Sequence, residues 1–321
     1  MPGREDVRAI QIGRYGGPEV LEVVELPDPQ PRPDQVLIDV AGVGVNYADT
    51  HLADGSYLTS PELPHVPGSE VIGRAADGRR VMALTDSGGY AEKALAPAAL
   101  AIEVPEGIDD GAALAILVQG LSAWHLLRTS AQLQPGETVV VNAAAGGVGS
   151  LAVQLAKIFG AGRVIATASS PDKQKLALDL GADVAVDGAA DGYTERVVAA
   201  NNGKRVDVVL DAVGGPVFAA AFEALGQFGR LVTFGAASRE APAAIEPARL
   251  MKRNLSVIGF WLSPALARPG MFAEPLAELL QLVATGRLRP VVGAEYPLAD
   301  ARRAHEDLLA RRSTGKLILR P

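Results

Sequence analysis

Apolar and polar positions alternate along this chain in two different rhythms. Over residues 137–262, short apolar runs are separated by amphipathic stretches. The run Thr138-Val139-Val140-Val141 is followed by small residues from Ala143 to Gly149, and then by Ser150-Leu151-Ala152-Val153-Gln154-Leu155-Ala156-Lys157, whose apolar residues have helical spacing. Further apolar runs occupy 163–168, 183–186, 206–210, 229–234 and 255–260. Strand and helix patterns at this spacing predict an α/β fold with a doubly wound parallel sheet, the Rossmann type. The preceding segment carries short strand patterns and turn residues, such as Val36-Leu37-Ile38-Asp39-Val40 and Val81-Met82-Ala83-Leu84, and predicts a mainly β domain. Beyond 262 the rhythm changes again. Leu276, Leu279, Leu280 and Val283 have helical spacing, Gly286 is a helix stop, and 290–294, 299–312 and 315–320 suit a strand, a charged helix and a last strand. These last residues, about 60, are few for a domain of their own. The expected organisation is therefore 1–119 with 263–321 as one domain and 120–262 as a second.

The small-residue turn is the main chemical signal. A strand, a tight turn and a new helix form a dinucleotide-binding unit, with Ala143 where the first glycine of G-x-G-x-x-G usually stands. Small residues at Ala145, Gly146, Gly147, Val148 and Gly149 let backbone approach a pyrophosphate, and the helix start attracts its charge. A carboxylate about 20 residues past the turn favours NAD. Here the second strand ends in Ser169-Ser170-Pro171-Asp172-Lys173. Two hydroxyls and the Lys173 ammonium suit a 2′-phosphate, so NADPH is the expected cofactor. The same residues also read as a helix start, with Ser170 as cap and Pro171 as first helical residue. Both readings can hold together.

Composition narrows the partners. The 321 residues are 48% apolar, enough for well-formed cores, and the net charge is −7 with no long basic run. Nucleic acid and an anionic membrane surface are disfavoured as partners. No leader pattern and no run of about 18 apolar residues is evident, so a cytoplasmic location is expected. With no cysteine there is no disulfide or thiolate metal site, and His51, His65, His125 and His305 form no metal-binding spacing. No metal is expected.

Several separated motifs resemble the zinc-independent quinone oxidoreductase group of the medium-chain dehydrogenase/reductase superfamily, nearly end to end. They are Gly44-Val45-Asn46-Tyr47-Ala48-Asp49-Thr50, Asp54-Gly55-Ser56-Tyr57, Pro64-His65-Val66-Pro67-Gly68-Ser69-Glu70, Gly88-Gly89-Tyr90-Ala91-Glu92, Gly120-Leu121-Ser122-Ala123-Trp124 and the Ala143–Gly149 turn. The zinc branch of the superfamily has a cysteine where Asn46 lies and a histidine where Ser69 lies. The resemblance implies a Rossmann domain inserted into a mainly β GroES-like catalytic domain, with nicotinamide and substrate meeting between them. It implies Asn46, Asp49 and Tyr57 as cleft residues with catalytic roles, and His51, a further catalytic candidate, stands where the group often has a tyrosine. His51 has chemistry suited to proton donation. Asn46 and Asp49 also suit a pair that satisfies loop backbone, and Tyr47, expected at the cofactor, and Tyr57 could pack their rings on the nicotinamide or substrate and offer hydroxyls, or simply pack.

The resemblance also places Lys316 and Phe260 near the cofactor, and Ala212, Val213, Gly214, Phe234 and Gly235 follow strands four and five at the ligand-binding edge. Gly188 replaces a tyrosine often found after the third strand, and the 73–79 hairpin is shorter than usual. Without a Lewis acid, an already electron-poor acceptor is the easier substrate. The implied activity is NADPH-dependent hydride transfer to a quinone or an α,β-unsaturated carbonyl. An enoyl-thioester reductase and a non-catalytic NADPH-binding protein are the alternatives. The last strand, near 255–261, would leave an apolar sheet edge, and a homodimer is expected from it.

Overall fold

The structure is a computed structural model and describes residues 6–321. Two compact units are formed. Residues up to Val118 together with Pro290–Pro321 make the first, and Gln119–Arg289 makes the second. Both chain ends thus contribute to one unit. The return, however, occurs at Pro290 and not at 263. The reason is packing: the helix Ala273–Ala284 buries Leu276, Leu279 and Leu282, and Glu278 accepts a 2.7 Å hydrogen bond from the Trp124 indole of the second unit. An amphipathic helix belongs where its apolar stripe is covered, which sequence periodicity alone does not specify.

In the first unit, Lys316–Arg320 pairs antiparallel with Gln35–Val45, setting Leu317 opposite Val45. Val292–Pro297 flanks it, and Glu70–Ala75, Arg80–Leu84 and Ala101–Glu103 continue the sheet on the other side. Inward-facing Ile38, Val43, Val45, Val71, Val81, Leu317 and Leu319 fill the core. This pairing brings the C-terminal strand beside the loop that opens at Asn46.

The second unit holds six parallel strands: β1 (Thr138–Val141), β2 (Arg163–Ala168), β3 (Val184–Asp187), β4 (Val206–Asp211), β5 (Leu225–Thr233) and β6 (Ser256–Gly259). Their spatial order is β3-β2-β1-β4-β5-β6. The order reverses at β1, and in open parallel sheets ligands bind outside the carboxyl ends of the strands at that point. β1 is buried at all four positions, as a central strand covered on both faces must be.

The helical run Asp110–Ser130 is long and apolar enough to cross a membrane, although the sequence reading finds no such run. Most of it is buried within the protein, so its apolar surface is already covered. It is a core helix.

Candidate active site

At the carboxyl end of β1, the chain turns through Ala143, whose φ is +52°, and enters the helix Gly147–Ile158. Its N-cap is Gly146, with no side-chain capping bond. The first-turn N–H groups therefore have no side-chain acceptor from the cap and can address an anion. Gly146, Gly147 and Val148 are half-buried, whereas Ala145 and Gly149 are buried. Gly149 is required by close approach: a Cβ there would lie 2.3 Å from the Ala143 carbonyl oxygen. It contributes through backbone closeness, and Ala145 through packing.

The end of β2 shows the cap reading directly. Ser170 Oγ accepts from the Lys173 N–H at 3.4 Å and starts the helix Pro171–Asp179. Ser169 is exposed, and Lys173 half-buried, so both remain beside the same strand end. After β4, Asp211 accepts from the N–H groups of Val213 (3.0 Å) and Gly214 (3.1 Å), which shapes the Ala212–Gly214 turn. Phe234 and Gly235 follow β5, where the Phe234 N–H donates to the Asp211 carbonyl. Phe260 follows β6 and stacks on the His125 ring at 5.9 Å between centroids. His125 itself is fully buried, its nitrogens bonded to Thr129 Oγ1 (2.9 Å) and the Met271 carbonyl (2.8 Å), a structural role.

In the first unit, the predicted residues Asn46 and Asp49 turn out to be a reciprocal helix cap. The Asn46 N–H donates to Asp49 Oδ2 at 2.8 Å, and the pair opens the helix Tyr47–Asp54. Both are buried. The structure thus shows the loop-satisfying role of the pair, which the sequence offered beside a catalytic one. Lys316 belongs to the same cluster. It is fully buried, its ammonium ion-paired with Glu70 and hydrogen-bonded to Asn46 Oδ1 at 3.1 Å, so its charge is spent inside the unit. Glu70 also accepts from Asn46 Nδ2 (2.7 Å) and the Val118 N–H (3.0 Å).

This cluster continues into residues to which sequence reasoning gave no role. Tyr90 donates its hydroxyl to Asp49 Oδ2 at 2.9 Å, so its oxygen takes the Nε2–H of His305 at 3.1 Å. Burial is the main cause that pushes the Asp49 carboxyl up to about 6, against the Asn46 N–H, the Tyr90 hydroxyl and Lys316. Burial also lowers the His305 imidazole to about 4 and raises the Tyr90 phenol well above its ordinary range. A carboxylate inside an apolar strand start, Glu70-Val71-Ile72, was the available sequence signal; nothing local marks His305.

His51 lies at the end of the same helix. Its Nδ1 is 2.6 Å from Ser56 Oγ, and Ser56 Oγ donates to Asp54 Oδ1 at 2.6 Å. Ser56 has one hydroxyl hydrogen, and Asp54 takes it. His51 Nδ1 is therefore the donor to Ser56, which fixes the tautomer of the neutral ring. The Tyr47 ring is tilted 5.5 Å from His51, and the Tyr57 N–H donates to the His51 carbonyl at 3.2 Å. The structure thus brings Tyr47, His51 and Tyr57 together. Among the described residues, no group of three or more His, Cys, Asp or Glu side chains is placed to hold a metal ion.

Comparison with known proteins agrees with this architecture. The family model described as alcohol dehydrogenase GroES-like domain matches residues 32–106, and that described as zinc-binding dehydrogenase matches 147–282. A quinone oxidoreductase of Pseudomonas aeruginosa is 34% identical, with 98% of this chain and 99% of that protein covered. The quinone oxidoreductase of Thermus thermophilus, solved alone and with NADPH, is 41% identical with a TM-score of 0.88, over 98% of this chain and all of that one. Escherichia coli quinone oxidoreductase, solved with NADPH, is 31% identical with a TM-score of 0.92 over the same shares.

Proposed function

The chain belongs to the quinone oxidoreductase group of the medium-chain dehydrogenase/reductase superfamily, and from that premise we propose that it is an NADPH-dependent reductase of quinones or α,β-unsaturated carbonyls that works without a metal. The observation that carries the reading is the helix start at Gly147, uncapped and lying at the strand-order reversal of a six-stranded parallel sheet. Such a start is a ready anion site. The residues fit this nucleotide: the 146–149 backbone suits a pyrophosphate, and Ser169, Ser170 and Lys173 suit a 2′-phosphate. When bound, NADPH supplies a hydride. The turns after β4 and β5, with Phe260, offer backbone and ring surface at the same sheet edge.

Metal independence is supported by the donor set. The chain has no cysteine, and Asn46 stands where the zinc branch has one, its amide committed to Glu70 and Lys316. Hydrogen bonds alone can stabilise charge developing on the oxygen of a conjugated acceptor. His51 is the proposed proton donor. Its Nδ1–H is committed to Ser56, so as the imidazolium it gives up the Nε2 proton and remains the neutral Nδ1–H form. Asp54, two hydrogen bonds away, supports the cation.

The test is steady-state NADPH oxidation with 1,4-benzoquinone, an enal and a crotonyl thioester, before and after dialysis against EDTA. Turnover of the quinone or the enal, unchanged by EDTA, is expected. Preference for the thioester would make the chain an enoyl reductase, and no turnover with any acceptor would defeat the proposal. In the same assay His51→Gln should lower kcat by about 10²-fold and flatten its decline with rising pH. We also place the protein in the cytoplasm as a homodimer paired through β6.

A further inference from the structure

Behind the nucleotide-binding edge of the second unit lies a buried polar knot. Asn142, the residue between β1 and the glycine turn, is at its centre with 1% exposure. Its Oδ1 accepts from Thr167 Oγ1 at 2.9 Å and from the Tyr193 hydroxyl at 2.7 Å. Its Nδ2 donates to Asp211 Oδ1 at 3.0 Å. Thr167, Tyr193 and Asp211 are all buried too. Thr167 belongs to β2, Asp211 ends β4, and Tyr193 opens the helix Tyr193–Ala200 beyond β3. One amide therefore joins the carboxyl ends of three neighbouring strands to the helix that follows the edge strand.

The geometry points to Asn142 as a positioning residue for the nucleotide. Two turns hang from this knot, one on each side of the strand-order reversal. On one side, the Asn142 backbone leads directly into Ala143, and the Ala144 N–H donates to the Thr167 carbonyl at 3.0 Å. On the other, Asp211 holds the Val213 and Gly214 N–H groups. Burial raises the Asp211 carboxyl, while the Asn142 amide and those two backbone groups lower it. The Asn142 amide is thus one of three donors that hold this carboxyl group and aim it at the 212–214 turn. An amide is the side chain suited to the task. It offers an acceptor to two hydroxyls and a donor to a carboxylate within one planar group. Removing it orphans groups on three elements at once, because buried polar atoms have no water to replace the lost partner.

This inference rests on the NADPH reading for its consequence, but not for its mechanical content. The experiment compares wild type, Asn142→Asp and Tyr193→Phe by amide hydrogen exchange at Val213 and Gly214 in the nucleotide-free protein, by NADPH titration and by steady-state kinetics. Asn142→Asp keeps the size and the acceptors but replaces the amide donor with a second carboxyl group at hydrogen-bond distance from Asp211, an unfavourable pair that only a shared proton relieves. It should speed exchange at both amides and raise the NADPH dissociation constant and KM about tenfold, with kcat at saturating NADPH within about twofold. Tyr193→Phe, which removes a single hydroxyl, should move the same quantities by about two- to threefold.

Unchanged exchange and unchanged NADPH affinity in folded variants, with only thermal stability lowered, would reduce Asn142 to a packing residue and overturn the inference. If Asn142→Asp does not fold, Tyr193→Phe decides, and an unmoved exchange rate there has the same force. A wild-type protein that binds no NADPH would instead sink the cofactor reading, while the exchange data still decide whether Asn142 shapes the turn.

Discussion

Asp49 and His305 sit at opposite ends of one hydrogen-bonded chain through Tyr90, and their titrations oppose each other. Folding raises the Asp49 carboxyl from 3.8 to about 6, so the folded state binds that proton more tightly. Its contribution to stability is complete below pH 3.8 and is lost as pH rises to about 6. Folding lowers His305 from 6.5 to about 4, so its contribution is complete above 6.5 and is lost as pH falls to about 4. Each displacement is worth on the order of 3 kcal/mol. Glu70, Lys316 and Tyr90 are the other titratable groups of the cluster. Wild-type stability should therefore change little between pH 4 and 6.5 on account of this pair. Asp49→Asn, whose carbonyl can still accept from Asn46 and Tyr90, should expose the His305 slope, with stability rising with pH across that window. Chemical denaturation at pH 4.5 and 6.5 checks it; equal slopes in wild type and variant would refute the opposition. None of this was legible in sequence. Asn46 and Asp49 were visible as a polar pair, but whether such a pair handles protons or caps a helix depends on burial, and burial depends on a strand from the far end of the chain.

At the scale of elements, the strand, turn and helix at 138–158 were legible because every local preference agrees with the fold. A four-residue apolar strand, small residues in the turn and an apolar stripe at helical spacing leave few alternatives. Gly149 shows how tightly the unit closes. Its added Cβ would meet the Ala143 oxygen at 2.3 Å and the Ala144 Cα at 2.8 Å, both backbone atoms that cannot rotate aside. Gly149→Ala should destabilise the protein by about 1–3 kcal/mol by thermal or chemical unfolding. The helix start must also shift, so NADPH affinity should fall with it. An unchanged melting temperature would show that the turn has slack the close contacts deny. The residues proposed for the cofactor are mostly small, local and tied to strand ends, so their placement after those strands was legible for the same reason. The contacts of Lys316 were not legible, because its neighbours Glu70 and Asn46 come from distant segments.

For the whole molecule, the chain's return was misplaced because the stretch 263–289 carries a helix whose covering surface only the folded second unit reveals. The sheet edge, by contrast, followed from strand count. β6 is the terminal strand of the order, and its residues, Ser256-Val257-Ile258-Gly259, contain no charge and no proline. Edge strands that stay unpaired are usually blunted by one or the other. Val257 and Ile258 are half-buried while Ser256 and Gly259 are exposed, so a second copy could continue the sheet across a two-fold axis without displacing packed side chains. Light scattering at micromolar concentration should report a dimer. Ser256→Lys adds a charge at the exposed edge position and, across a two-fold axis, a second one facing it. That variant should shift the mass towards the monomer while leaving NADPH binding intact, because Ser256 lies at the end of β6 remote from its carboxyl terminus. A wild-type monomer, or a variant that remains dimeric, would place the interface elsewhere.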